Sequence, residues 1–85
     1  MYKIEYTHKA LKDLFKLPVH IQKQISNKLA VLAKNPFDNS QVKALKGEDA
    51  GFRLRVGDYR VVYYIENKCL VITVVKVGHR KDIYQ

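Results

Sequence analysis

Arginine is the residue type of this chain with the clearest potential for chemistry, because all four arginines lie in its last third: Arg53, Arg55, Arg60 and Arg80. A guanidinium is flat and permanently charged, and it can donate two hydrogen bonds to one phosphate. Arg53 and Arg55 alternate with apolar residues, which is typical of a strand, and Gly57-Asp58 is a candidate two-residue turn. This turn would place Arg55 opposite Arg60. Because like charges across a strand pair repel each other, the three-arginine face predicts an anion site, with a solvated hairpin face as the alternative.

The tail contains a second group of polar residues, in the order Gly78-His79-Arg80-Lys81-Asp82-Ile83-Tyr84. If this segment forms a turn of helix, Arg80 and Tyr84 share a face. Tyr84 could then stack on a base, or its hydroxyl could exchange a proton at a site rich in positive charge. The alternative is that Tyr84 packs against a frayed terminus.

The remaining polar residues predict neither a metal nor a cofactor. Most of the carboxylates are spread singly along the chain, and no pair of them obviously converges on the arginines. His8, His20 and His79 do not have the spacing of metal ligands. The glycines do not form a phosphate loop.

The balance of charge suggests the partner. Sixteen Lys and Arg against eight Asp and Glu give a formal net charge of +8, which favours a polyanion, nucleic acid first and a membrane surface second. We expect no membrane contact, because no apolar run approaches the roughly 20 residues that a span requires and no basic amphipathic helix stands apart. A single cysteine, Cys69, excludes an internal disulfide, and the first ten residues do not resemble a signal peptide. A cytoplasmic protein is therefore predicted.

Two helices are predicted to precede the arginines. A short strand from Tyr2 to Tyr6 leads to Thr7, which suits the N-cap of a helix beginning near His8. Pro18 ends this helix, and a second one begins almost at once. The second helix has one apolar stripe, formed by Ile21, Ile25, Leu29, Leu32 and Ala33. The pair is expected to form a helical hairpin.

The arginine-bearing hairpin follows a predicted loop, residues 36–50, and precedes a last strand from Leu70 to Val77. We therefore predict a single α+β domain, residues 1–85. An N-terminal strand and a two-helix hairpin would pack on one face of a small, mostly antiparallel sheet, leaving the basic face open for the site. Because both faces of the last two strands carry apolar residues, we also expect a partner protein to cover part of the face opposite the arginines.

The order of these elements and two motif blocks resemble the RelE branch of the RelE/ParE toxins over the whole chain. The motifs are the run from Arg53 to Tyr63, RLRVGDYRVVY, preceded by Leu45-Lys46-Gly47, and the tail from Gly78 to Tyr84, GHRKDIY. The resemblance implies a RelE-like microbial RNase fold. It also implies the toxin of a type II toxin-antitoxin pair, a metal-independent endoribonuclease that cuts mRNA in the ribosomal A site and so inhibits translation.

The resemblance also implies roles for individual residues. Arg60 falls on the arginine that contacts the scissile phosphate, Arg80 on a second arginine implicated in the cut, and Tyr84 on a tyrosine that supports it. Arg53 falls where relatives have a lysine of the active strand. The residues expected to bind RNA or its phosphates are Arg53, Arg55, Lys46, His79 and Lys81. The general base is left open among Tyr84, His79 and Lys81.

The expected reaction is attack of a ribose 2′-hydroxyl on the neighbouring phosphorus, which gives a cyclic phosphate and a free 5′-hydroxyl. The expected partners are mRNA, the ribosome with its 16S rRNA, and a RelB-like acidic antitoxin in a hetero-oligomeric complex. The main alternative is a ParE-like toxin that poisons DNA gyrase without cutting RNA. A basic RNA-binding module without toxicity is a third interpretation.

Overall fold

The computed structural model describes residues 1–37, 39–46 and 51–83. The elements in chain order are β1 (Lys3–Tyr6), α1 (His8–Phe15), α2 (Val19–Lys34), β2 (Val42–Ala44), β3 (Phe52–Val56), β4 (Tyr59–Glu66), β5 (Val71–His79) and α3 (Arg80–Ile83). The strands form one five-stranded sheet in the order β1-β5-β4-β3-β2, in which only the β1 and β5 pair is parallel. The predicted α+β fold, with its N-terminal strand and two-helix hairpin, is confirmed.

The two helices begin and end where the sequence predicts. The hydroxyl oxygen of Thr7 accepts a hydrogen bond from the Ala10 backbone N–H at 3.1 Å, which caps α1. Pro18 precedes α2 in an extended conformation, with φ −55° and ψ 147°, so the chain turns sharply between the helices. In the described part of the chain, no helix has the length and apolar character needed to cross a membrane.

The core lies between the helices and one face of the sheet. On that face the side chains of Val61, Tyr63, Ile72 and Val74 are fully buried. The expectation that a partner protein covers part of this face is therefore wrong. The reason is one of size: the 16 residues of α2 span about 24 Å, and five strands are only about 19 Å wide. The two helices are sufficient to cover so small a sheet.

Two features of the sheet differ from the prediction. The segment 36–50 is not all loop, because β2 pairs with β3 through Val42 opposite Leu54 and Ala44 opposite Phe52. Three residues are too few for an alternating pattern to be recognised. The second feature is a register shift between Val62 and Tyr63, which pair with Lys76 and Val74 respectively. Val75 is thus an extra residue in β5, as in a β-bulge.

Tyr63 makes the stability of the fold depend on pH. Its ring stacks on Phe52 with centroids 5.7 Å apart, and within the described residues its buried hydroxyl has no hydrogen-bond partner. Burial raises the pKa of Tyr63 from 10.0 to about 12, so the unfolded chain releases this proton at a lower pH than the folded chain. The stability that this group contributes is complete below pH 10.0 and is lost as the pH rises towards about 12.

Raising the pH from 10 to 12 should lower the unfolding free energy of the unaltered protein by about 2 kcal/mol more than that of a Tyr63→Phe variant, which has no phenol to ionise at this position. At pH 7 the variant should be at least as stable, because an unpaired buried hydroxyl is removed. Urea unfolding at a series of pH values measures both quantities. Parallel stability curves for the two proteins over the alkaline range would contradict the argument.

Gly51 and Gly57 form a matched pair for testing how tightly the start of β3 is packed. Both have a positive φ, +70° and +59° respectively. A Cβ at Gly51 would lie 2.6 Å from the Tyr63 carbonyl oxygen, whereas a Cβ at Gly57 would meet nothing within 4 Å. Gly57→Ala should therefore cost only the left-handed backbone penalty of about 1–2 kcal/mol, and Gly51→Ala should cost more. Urea unfolding measures both variants, and an equal loss of unfolding free energy for Gly51→Ala and Gly57→Ala would contradict the close packing at Gly51.

Candidate functional site

The β3–β4 hairpin brings three arginines to one face of the sheet. Its turn is at Gly57-Asp58, and Arg55 pairs with Arg60 as predicted. Arg53 pairs with Val62, two residues further from the turn. The residues that alternate with these arginines are buried on the helix side, so the arginines project from the opposite face, which we call the open face.

The three arginines line one shallow cavity of about 260 Å³ on the open face. The other lining residues come from β2 and the segment before it: Ser40, Gln41, Val42 and Lys43. Lys43 pairs with Arg53, so the described lining of the cavity includes four cationic side chains and no carboxylate. The cavity has room for a phosphate group. The arrangement can neutralise and orient such an anion.

Hydrogen bonds to neighbouring oxygens orient two of the guanidinium groups. Arg55 Nε donates to Gln41 Oε1 at 3.1 Å, and Arg60 Nη1 donates to the backbone oxygens of Gly57 at 2.8 Å and Tyr59 at 2.9 Å. Each guanidinium has five N–H donors, so these bonds fix its direction and leave donors for an anion. Because Arg55 and Arg60 donate to different acceptors, their like-charged guanidinium groups are directed away from each other although the two residues pair across the strands.

The tail reaches the same turn as Arg60. The Arg80 backbone N–H donates to the Asp58 carbonyl oxygen at 2.8 Å, which fixes the start of α3 beside the hairpin turn. The predicted helical turn is confirmed for Arg80–Ile83, and the side chains of Arg80 and Lys81 are exposed. Tyr84, the third predicted catalytic residue, lies outside the described residues.

His79 is separated from the arginines by the sheet itself. It pairs with Tyr59 on the helix side, where the two rings meet edge to face with centroids 5.5 Å apart. His79 Nδ1 accepts a hydrogen bond from the Lys81 backbone N–H at 3.2 Å. Both rings line a larger cavity of about 620 Å³ beside α1, which also contains Asp13 and Asp82. This mixed lining, with two carboxylates, is less suited to an anion than the cavity lined by three arginines and Lys43.

The bulge in β5 accounts for the position of His79. Ile72 and Val74 face the helices, so strict alternation would place His79 on the open face with the arginines. The extra residue shifts the alternation by one, and Val77 and His79 face the helices instead.

Lys46 is also placed apart from the arginine cavity. It follows β2 at the end of the sheet where Leu45 N–H donates to the Gly51 carbonyl oxygen, and its side chain is exposed. Gln41 and Lys43, by contrast, line the cavity and were not predicted. Lys43 lies between two apolar residues, which is a weak strand pattern, whereas nothing in the sequence distinguishes Gln41.

No metal centre is present among residues 1–37, 39–46 and 51–83, because no three His, Cys, Asp or Glu side chains come close enough together to hold an ion. The residues of the arginine cavity can donate hydrogen bonds and positive charge to a phosphate.

Comparison with known proteins identifies the family. A family model described as the ParE toxin of the type II toxin-antitoxin system parDE matches residues 4–84. The chain belongs to the RelE/ParE toxin superfamily. The toxin RelG of Mycobacterium tuberculosis is 34% identical, and the alignment covers 99% of this chain and 97% of RelG. The resemblance inferred from the motif blocks is confirmed, and the chain is a RelE-like toxin of a type II toxin-antitoxin system.

Solved structures of RelE toxins have the same fold. The crystal structure of the RelBE2 toxin-antitoxin complex from M. tuberculosis contains a chain that superposes with a TM-score of 0.81 at 30% identity, covering 93% of this toxin and 98% of that chain. The isolated Escherichia coli RelE toxin superposes with a TM-score of 0.80 at 25% identity, covering 99% and 92% respectively. A chain of the archaeal RelE-RelB complex from Pyrococcus horikoshii superposes with a TM-score of 0.80 at 27% identity, covering 95% of this toxin and 97% of that chain.

Proposed function

We propose that this RelE-like toxin is an endoribonuclease that cuts mRNA in the A site of the translating ribosome and so stops protein synthesis. The observation that supports it best is the cavity that joins Arg53, Arg55, Arg60 and Lys43 on the open face. A cluster of four cations suits the backbone of an RNA strand. The sequence similarity to RelE-like toxins points to the same activity.

The proposed reaction is an internal displacement at phosphorus. The 2′-oxygen of a ribose attacks the neighbouring phosphorus, the bond from phosphorus to the 5′-oxygen breaks, and the products are a 2′,3′-cyclic phosphate and a 5′-hydroxyl. The proton of the 2′-hydroxyl passes to a base, and the leaving 5′-oxygen gains a proton. The arginines stabilise the extra negative charge of the transition state, which for one well-placed donor contributes about 3–4 kcal/mol. No metal or cofactor takes part in this proposal.

The positions of the site residues support a proposal for their individual roles. We propose that Arg60 and Arg80 contact the scissile phosphate, since both are anchored at the Gly57-Asp58 turn. Arg53 and Arg55 bind the adjoining backbone. Tyr84 or Lys81 serves as the general base, because His79 faces the helices on the other side of the sheet.

A RelB-like antitoxin is the proposed partner of this toxin in the cell. Structures of related toxins include RelB-RelE complexes from Methanococcus jannaschii and P. horikoshii. The net charge of +8 favours capture by an acidic chain, and electrostatic steering speeds such an encounter. We propose a hetero-oligomeric toxin-antitoxin complex in the cytoplasm, where the ribosomal target is found.

The alternative activity is poisoning of DNA gyrase, and the match to a ParE toxin model supports it. The proposed nuclease would damage mRNA, whereas a gyrase poison would damage DNA supercoiling.

We propose to induce the toxin in bacteria and to map RNA ends by primer extension on a translated message and on the same message without a start codon. Cuts confined to translated codons are expected. Intact RNA together with loss of plasmid supercoiling would instead favour gyrase.

A further inference from the structure

The open face has a mainly apolar part next to its arginine cavity, with the exposed Glu66 at its edge. Val62, Val71, Thr73 and Tyr64 lie on this face, on strands β4 and β5, at the end away from the Gly57-Asp58 turn. Tyr64 is the most exposed of them, at 38% of its surface. The face therefore divides into a cationic part and an aromatic part, as a nucleotide divides into a phosphate and a base.

The Tyr64 ring lies close to the backbone of Gly51. A Cβ at Gly51 would lie 3.0 Å from both Cδ1 and Cε1 of Tyr64, so the ring lies over the glycine backbone in space that a side chain would need. A ring packed beside the backbone has less rotational freedom to lose when a ligand binds.

Arg53 is a cationic neighbour of Tyr64 on the sheet. Arg53 pairs with Val62, and Tyr64 is two residues further along β4, which makes Arg53 and Tyr64 diagonal neighbours. Diagonal neighbours across an antiparallel pair are about 7–8 Å apart, within reach of long and aromatic side chains. One nucleotide can therefore place its phosphate at Arg53 and its base at Tyr64.

We infer that Tyr64 is a stacking platform for a base of the single-stranded RNA whose phosphates occupy the arginine cavity. This inference rests on the proposed function, since it assumes that RNA is the anion bound there. A tyrosine ring accepts any base, because every base has an aromatic face, so the platform positions the strand without reading its sequence. Tyr64 is thus a positioning residue for the cut.

Binding of two short RNAs tests the inference. One is a fluorescent 2′-O-methyl RNA trimer, which cannot be cut because its 2′-hydroxyls are blocked, and the other is the matching trimer without bases. Tyr64→Leu should weaken binding of the intact trimer by about fivefold to a hundredfold, the effect of losing one stacked base, and leave the abasic trimer unchanged. Tyr64→Phe keeps the ring and should restore tight binding of the intact trimer.

The outcomes separate this inference from the proposed function. Arg60→Ala should weaken both trimers by the same factor, since it removes a contact to phosphate and not to a base. Equal effects of Tyr64→Leu on the two trimers, no effect on either, or no binding of either trimer to the unaltered toxin would overturn the inference. If the base-dependent loss appears but messages are not cut in cells, the stacking site stands and the proposed nuclease activity fails.

Discussion

An Arg60→Ala variant should cut mRNA at least about a hundredfold more slowly than the unaltered toxin, because the lost guanidinium is a preorganised donor for charge that develops on the phosphate. Arg60 Nη1 is held by the carbonyl oxygens of Gly57 and Tyr59, so its direction is set before RNA binds. The variant should remain folded, since Arg60 lies outside the buried core. Single-turnover cleavage on mRNA-programmed ribosomes measures the rate.

Lys28→Ala is the matched control for this prediction. It removes the same single positive charge from an exposed position on α2, away from the arginine cavity. Its cleavage rate should stay within about threefold of the unaltered toxin, because a distant exposed charge is largely screened at physiological salt. Similar losses for Lys28→Ala and Arg60→Ala would mean that net charge, and not a defined phosphate contact, limits the reaction.

An Arg80→Ala variant should lose cleavage to a comparable extent, at least about a hundredfold, if its guanidinium also contacts the scissile phosphate. The start of α3 should stay in place, because the bond to the Asp58 carbonyl comes from the Arg80 backbone N–H and not from the side chain. The thermal unfolding midpoint should therefore change little while the cleavage rate falls on the same programmed ribosomes.

Arg80→Lys separates charge from geometry at this position. A lysine retains the positive charge but cannot form the two parallel hydrogen bonds of a guanidinium. We expect Arg80→Lys to recover only part of the lost rate. Full activity of Arg80→Lys would show that position 80 supplies charge alone, and full activity of Arg80→Ala would remove it from the site.

The hairpin and its register could be predicted from sequence because the constraints are local. A two-residue turn fixes which residues face each other, so Gly57-Asp58 was enough to place Arg55 opposite Arg60. The same is true of α1, whose cap at Thr7 and stop before Pro18 are each set by neighbouring residues. These elements required no knowledge of the tertiary structure.

The parts of the site that were missed depend on distant contacts. β2 exists only because β3 offers it a pairing edge, so Lys43 and Gln41 could not be placed beside the arginines from a three-residue strand. The face of His79 depends on one extra residue in β5, which no alternation rule anticipates. How well the helices cover the sheet face opposite the open face depends on how they cross it, and the apolar periodicity of the helices alone does not predict that crossing.

The most direct test of the central claim is cleavage of a defined message by purified toxin on ribosomes with an empty A site. Two messages would be compared, one natural and one with a 2′-deoxy nucleotide on the 5′ side of the cut. We predict a single cut in the A-site codon that leaves a 2′,3′-cyclic phosphate and a 5′-hydroxyl, and no cut in the 2′-deoxy message. A natural message that stays intact, while the same toxin inhibits supercoiling by purified DNA gyrase, would contradict the account.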